Sequence, residues 1–256
     1  MNNRICLWCL KSNPQTTFDK KAHTIPKSLG GQNYNNNVCD ACNEYFGNKQ
    51  ERNYSIEEAL KEAFNISRNR FLFGQKTKKQ VGKFRSRFFD IKTRKNKPRL
   101  SIKPAFRLDG NFQKQLCRDF KRGLYKMYFE ELNRQRDLGY AEHYNAIRDF
   151  ARSDRFDMPV FYFVKAVGLF TMLRSEAETP VLIFDRMLYL YSNDKFVEIE
   201  FLGHVFGFPT TYVSSDDIKS YINESLKTKQ KHFRKFTLIE KLTDIDLALS
   251  ILDTNN

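Results

Sequence analysis

The sequence predicts an α+β chain: a small metal-stapled N-terminal unit over residues 1–70, then a mixed region over residues 71–256 that combines a basic β-ribbon, long helices and an antiparallel sheet. Three observations predict it. Four of the five cysteines fall in Cys6-Leu7-Trp8-Cys9 and Cys39-Asp40-Ala41-Cys42, and two C-x-x-C pairs place four thiolates as one tetrahedral zinc ion requires. Cations crowd into residues 76–107, where they alternate with apolar side chains as in a half-packed strand. Helix-periodic stretches then give way, after Pro159, to short apolar runs, so helices and strands are segregated along the chain. With 256 residues, 41% apolar, 24 Phe and 12 Tyr, there is ample material for a packed core.

The N-terminal unit comes first. The 29 residues between Cys9 and Cys39 exceed a simple ribbon loop, so something is built between the knuckles. Its chemical content is Ala22-His23-Thr24-Ile25-Pro26-Lys27-Ser28-Leu29-Gly30-Gly31, one histidine beside a turn. A unit of this size buries too little surface to stand alone; below ~70 to 80 residues a staple is usual. Met1 to Arg4 run into the knuckle rather than into an apolar signal segment. Lys165 interrupts the richest apolar run, Met158 to Leu173, short of the ~18 residues a membrane span needs. A cytoplasmic protein with no membrane contact is expected, and there paired C-x-x-C motifs hold metal rather than disulfides. The remaining Cys117 reads as a buried core thiol.

This arrangement resembles the HNH nucleases of the zinc-stapled kind. The resemblance covers about the first fifth of the chain and rests on spacing as well as residue type. It implies a ββα-metal unit whose first strand ends at a catalytic histidine, here His23, and whose helix supplies a metal ligand, here Asn43, directly after Cys42. Glu44-Tyr45-Phe46-Gly47 would continue that helix to its end. The family's middle asparagine, which ties the loop by side-chain hydrogen bonds, is one of Asn35, Asn36 or Asn37. The chain departs from the pattern at Ala22, where the family often carries a ligand; a methyl group binds no cation. Asp19 and Asp40 are candidates to replace it by strand and helix period.

The chemistry implied is phosphodiester hydrolysis. In-line attack by water needs a group that takes a proton and another that bears the charge growing on the leaving oxygen. His23, neutral near pH 7, suits the first role. A hard cation, Mg²⁺ or Mn²⁺, held in part by the Asn43 amide, suits the second. Zinc on Cys6, Cys9, Cys39 and Cys42 has a closed shell and is structural.

Residues 76–107 carry thirteen Lys and Arg against one Asp, nearly all of the formal +14. Apolar and cationic residues alternate around Phe84 to Lys92, and Asn96-Lys97-Pro98 suits a turn into a second strand, Arg99 to Leu108. A disordered arm would have no use for Phe84, Phe88, Phe89, Ile91, Leu100, Ile102 and Phe106 at packed spacing. A ribbon laid on a polyanion would, and its affinity would fall steeply with salt. The expected nucleic-acid contacts are Lys27 near the histidine and Lys83, Arg85, Arg87, Lys92, Arg94, Lys95 and Arg99 on the ribbon. DNA is the expected partner, with RNA as the second polyanion of that charge.

The other elements follow from period and caps. Ser55 and Glu58 have capping-box spacing for a short helix reaching Phe64. Phe112, Leu116, Phe120, Leu124, Met127, Tyr128 and Leu132 mark an amphipathic helix from Asn111 to Asp137, on which Lys114, Arg118, Lys121, Arg122 and Lys126 read as surface cations. A second helix is expected over Tyr140 to Arg152, with His143 on its surface. Strands are expected at Val160 to Leu173, Pro180 to Phe184, Met187 to Tyr191 and Phe196 to Leu202, with a turn at Ser192-Asn193-Asp194. The lone His204 reads as structural. Two closing helices are expected, Ser214 to Lys229 and Thr237 to Leu252.

Two functions of different class fit: a metal-dependent endonuclease acting on DNA in restriction, anti-phage defence or a mobile element, or a zinc-stapled scaffold that binds nucleic acid without cutting it. Residues 71–256 carry no motif that says what is recognised, and a protein partner could dock there.

Overall fold

The computed structural model describes residues 4–49, 53–72, 86–94, 97–107, 109–165, 179–184, 195–229 and 233–245. The fold is α+β. Two-residue strands β1, Ala22–His23, and β2, Tyr34–Asn35, pair antiparallel and are followed by helix α1, Asp40–Gly47. A 3₁₀ turn, Lys27–Leu29, joins the strands. Gly30 ends it at φ 95°, and Gly31 lies so close to the Ile25 carbonyl that a Cβ would collide with it. That turn therefore requires its two glycines.

Helix α2, Ile56–Leu72, opens with the expected capping box: the Ser55 backbone N–H donates to Glu58 Oε2 at 3.2 Å, and the Glu58 N–H donates to Ser55 Oγ at 3.1 Å. It runs eight residues beyond Phe64, so residue 70 lies within its last turn. The 27-residue α3, Gly110–Arg136, starts at Asp109, whose carboxylate accepts from the Phe112 N–H at 2.8 Å, and ends at Asp137 in the left-handed region. Gly123 is where α2 and α3 touch: a Cβ there would come within 2.8 Å of Leu60 Cβ. The next helical segment, 142–152, is irregular, passing from 3₁₀ through α to π.

Between α2 and α3 stands the ribbon, β3, Phe89–Arg94, paired antiparallel with β4, Lys97–Ile102. Lys97 and Pro98, expected in the turn, are already paired with Arg94 and Thr93 inside the ladder. Both strands of a two-stranded ribbon are edges, where proline's missing N–H costs nothing. The base of the ribbon is anchored. Phe88 packs edge-on against Tyr54, Phe106 and Phe112, and the Arg87 N–H donates to the buried Glu62 carboxylate at 2.7 Å.

Five further strands form an antiparallel sheet in the order β6-β7-β8-β5-β9: β5, Phe161–Lys165; β6, Leu182–Phe184; β7, Phe196–Phe201; β8, His204–Pro209; β9, Phe233–Leu238. Helices α2 and α3 cover one face, where Phe64 meets Phe206 and Tyr125 meets Phe208. Helix α4, Ser215–Lys229, covers the other, with Tyr221 stacked on Phe196. A sheet covered on both faces reads as near-continuous apolar sequence rather than alternation.

Several expectations need correction. The helix expected from Thr237 is not formed at its start, because Thr237 and Leu238 complete β9, paired with Tyr162 and Phe161; the strand expected at Met187 to Tyr191 and the turn Ser192 to Asp194 lie outside the described residues. Lys121, Arg122 and Lys126 are not surface cations but are buried at 5%, 1% and 0% exposure. They face Asp157, Asp119 and Glu130, and paired carboxylates are what make a buried cation tolerable. Cys117 is buried as expected. His204 is buried too, with Nδ1 3.0 Å from the Tyr162 hydroxyl. No helix among the described residues is long and apolar enough to cross a membrane.

The larger hydrophobic core runs from Cys6 through Phe46, Phe64, Phe129 and Phe206 to Ile245, and a smaller one, built on Phe163, Phe196 and Tyr221, lies between the sheet and α4. Trp8 shows how the N-terminal unit joins the larger core, with its indole 4.7 Å from the Phe46 ring on one side and 5.1 Å from the Phe129 ring of α3 on the other.

Candidate active site and metal centre

Cys6 and Cys9 come from the first knuckle, Cys39 and Cys42 from the N-terminal end of α1, and their four sulfurs lie within 4.8 Å of one another. Cys9 Sγ and Cys39 Sγ are 3.7 Å apart, close to the ~3.8 Å edge that a tetrahedron of Zn–S bonds of about 2.3 Å would have. Three buried thiols and one half-buried thiol converge on one point, a donor set that suits a divalent ion. The hydrogen bond with Cys42 lowers Cys6 to about 5, the same contact and burial push Cys42 up, and burial pushes Cys9 up to about 11. A divalent ion among them would let all four ionise together. Two knuckles joined by backbone bonds hold this set: the Cys6 N–H donates to the Lys11 carbonyl at 2.8 Å, and the Leu7 N–H to the Asn37 carbonyl at 2.7 Å.

His23 ends β1 opposite Tyr34, half-buried. The chain leading to it is fastened to α1. Asp40 accepts from the Lys20 N–H at 2.8 Å and the Asp19 N–H at 3.1 Å, and also from the Thr17 hydroxyl; Lys20 pairs with Glu44. Asn43 is half-buried on α1 between these two acids, with its backbone N–H donating to the Cys39 carbonyl at 2.9 Å. Burial, then the charges of Lys126 and Lys27, hold the His23 imidazole below its ordinary pKa. It is therefore neutral at pH 7, the form that accepts a proton.

Of the Asn35, Asn36, Asn37 trio, Asn35 makes the most side-chain ties, and the Asn37 amide joins it by donating to Asn133 Oδ1 at 3.1 Å. Buried, Asn35 accepts from the Asn37 N–H at 2.7 Å and donates to the Glu130 carbonyl at 2.8 Å and to Asn133 Oδ1 at 2.9 Å. Two of those partners belong to α3. The Ala22 methyl is fully buried, and the Asp40 carboxylate is occupied as a loop fastener.

Beneath His23 lies a group of residues that sequence reasoning missed. Lys126 Nζ donates to the His23 carbonyl at 2.5 Å and sits 2.9 Å from Glu57 Oε1 and 3.0 Å from Glu130 Oε2. Glu130 also accepts from the Trp8 indole N–H at 2.9 Å. Burial works against the Lys126 charge, but Glu130 and Glu57 outweigh it and keep the ammonium protonated; burial pushes Glu130 up to about 7 against the pull of Lys126. In the sequence Lys126 and Glu130 belong to a row of polar residues, Asp119, Arg122, Lys126, Glu130 and Asn133, three and four apart on a helix otherwise rich in aromatics, a spacing that a solvated helix face shares.

Of the expected nucleic-acid contacts, Lys27 is exposed on the 3₁₀ turn after β1. Arg87 lies half-buried at the ribbon base, lining with Arg107 a cavity of about 550 Å³. The register sets Lys92 opposite Arg99 and Arg94 opposite Lys97, and strand alternation gives all four positions one face. Lys83, Arg85 and Lys95 lie outside the described residues.

Residues 6–57 match the family model described as HNH endonuclease. No curated protein and no solved structure matches the chain. The match takes in all four cysteines, His23 and Asn43, and ends at Glu57 in the first turn of α2. The cluster of four cysteines fits the zinc of such a unit.

Proposed function

We propose that this protein is a metal-dependent endonuclease that hydrolyses DNA phosphodiester bonds, with His23 as general base and zinc held by Cys6, Cys9, Cys39 and Cys42 as a structural staple. The observation that carries the reading is a neutral, half-buried His23 on a strand fastened to the helix of Asn43 by Asp40 and Glu44, inside a segment that matches the HNH model. The Asn43 amide oxygen would hold Mg²⁺ or Mn²⁺, a hard cation that stabilises charge on the leaving oxygen when bound. His23 takes the proton of the attacking water. Lys27 and the ribbon positions Arg87, Lys92, Arg94 and Arg99 hold the duplex across the site through its phosphates.

Such an enzyme would act in the cytoplasm, in restriction, defence against phage or a mobile element. Residues 71–256 would then form the region that recognises the target or a protein partner. The buried Ala22 methyl favours a second reading, a scaffold that binds DNA and no longer cuts. Supercoiled plasmid incubated with purified protein and Mg²⁺ or Mn²⁺ separates the two. Nicking that stops with chelator and with His23→Ala is the expected result. Intact plasmid throughout, with retarded bands in a gel, would establish the binder instead.

A further inference from the structure

A buried ammonium has three protons and needs three acceptors. Lys126, wholly enclosed on α3, donates to the His23 carbonyl at 2.5 Å and is ion-paired with Glu57 Oε1 at 2.9 Å and Glu130 Oε2 at 3.0 Å. These partners come from β1, from the first turn of α2 and from its own helix, so one ammonium joins three elements at the backbone of the proposed base. Glu130 carries the connection onward to the Trp8 indole N–H in the first cysteine knuckle. Lys126 lies 69 positions past the end of the segment that the HNH model matches, Glu57.

We propose that Lys126 is a positioning residue for the cutting reaction, its ammonium holding the backbone of His23 where the imidazole can meet the attacking water. The inference rests on the nuclease reading. The strand end is held to its neighbour by two residue pairs, Ala22 with Asn35 and His23 with Tyr34, and by the Thr24 N–H, which donates to the Asn33 carbonyl at 3.2 Å, but none of these bonds ties His23 itself to α3. The bond from Lys126 to the His23 carbonyl does so. Without the ammonium, the His23 carbonyl loses a buried donor and Glu57 and Glu130 face each other with no cation between them, so the strand end has every reason to shift. A displacement of about 1 Å at a reacting group is enough for a rate loss on the order of 10²-fold.

The test compares Lys126→Met, which keeps the length of the stem and removes charge and donors, with wild type and with Lys126→Arg. Single-turnover cutting and duplex affinity are measured separately, at a temperature where melting curves show each variant folded with its zinc content unchanged. Lys126→Met is expected to lose about 10²-fold in cutting rate while its duplex affinity stays within about twofold. Lys126→Arg, whose planar fork keeps the charge but cannot place three donors at one point, is expected between the two. A folded Lys126→Met that cuts at the wild-type rate overturns the proposal. Should Lys126→Met fail to fold, Lys126→Arg decides: a full rate overturns the proposal and a tenfold loss at unchanged affinity supports it. His23→Ala in the same assay keeps the two claims apart, since a dead His23→Ala beside a fully active Lys126→Met refutes the positioning role alone.

Discussion

His23 is the residue on which the proposed chemistry turns, and its surroundings set the pH at which it can act. Burial, Lys126 and Lys27 all favour the neutral ring, and a hydrogen bond with the Lys21 backbone and then the charge of Glu57 oppose them. A base works deprotonated, so the cutting rate should fall as pH falls through its pKa, and that acid limb should lie below the ordinary histidine value of about 6.5. Rate against pH measures it. Lys27→Gln should move the limb upward, and an unmoved limb would mean that some other group is titrating. The four cysteines were legible in the sequence because their spacing is itself the signal, and their sulfurs gather at one point. Lys126 was not, since a lysine at a helix position looks the same whether water or two carboxylates surround it, and only the tertiary approach of Glu57 decides which.

Among the elements, the ribbon has the plainest physical consequence. Its register places Lys92 opposite Arg99 and Arg94 opposite Lys97, so four cationic residues share one short ladder. Such a surface gains by meeting phosphates. Replacing Lys92 and Arg99 with glutamine should weaken DNA binding, flatten the slope of log affinity against log salt by about 2, and leave the melting temperature level or slightly raised. Titrations at several salt concentrations check this; an unchanged slope would make the face mere solvated surface. The pairing of two ribbon strands, the caps at Ser55 and Ser214 and the α3 stripe could all be read from the chain. Strands β8 and β9 could not. In Val205-Phe206-Gly207-Phe208 both faces are covered and no alternation survives, while Phe233-Arg234-Lys235-Phe236-Thr237-Leu238 has apolar residues three apart, which resembles a helix until Phe161 and Tyr162 pair with it.

For the whole molecule, the continuous core matters more than any boundary in the sequence. The cysteine unit leans on α3 through Trp8 and Phe129 and through Asn35 and Asn133; Arg148, whose guanidinium donates to the Leu7 carbonyl at 2.8 Å, ties it to the segment that follows. Cys39→Ser, or a strong chelator, should therefore release the metal and lower the melting of the entire chain in one transition. An early, separate transition confined to the N-terminal unit would show that these contacts transmit little. His23→Ala should leave the melting curve almost where it was, because its ring is only half-buried and its carbonyl, the atom Lys126 holds, is kept.

Division of labour between an inert staple and a reactive imidazole is the central claim, and single-turnover cleavage of a DNA duplex under saturating protein tests it most directly. The rate should require a divalent cation and fall by about 10²- to 10⁴-fold in His23→Ala, with duplex affinity, zinc content and melting all unchanged. A His23→Ala protein that cuts as fast as the wild type would contradict it.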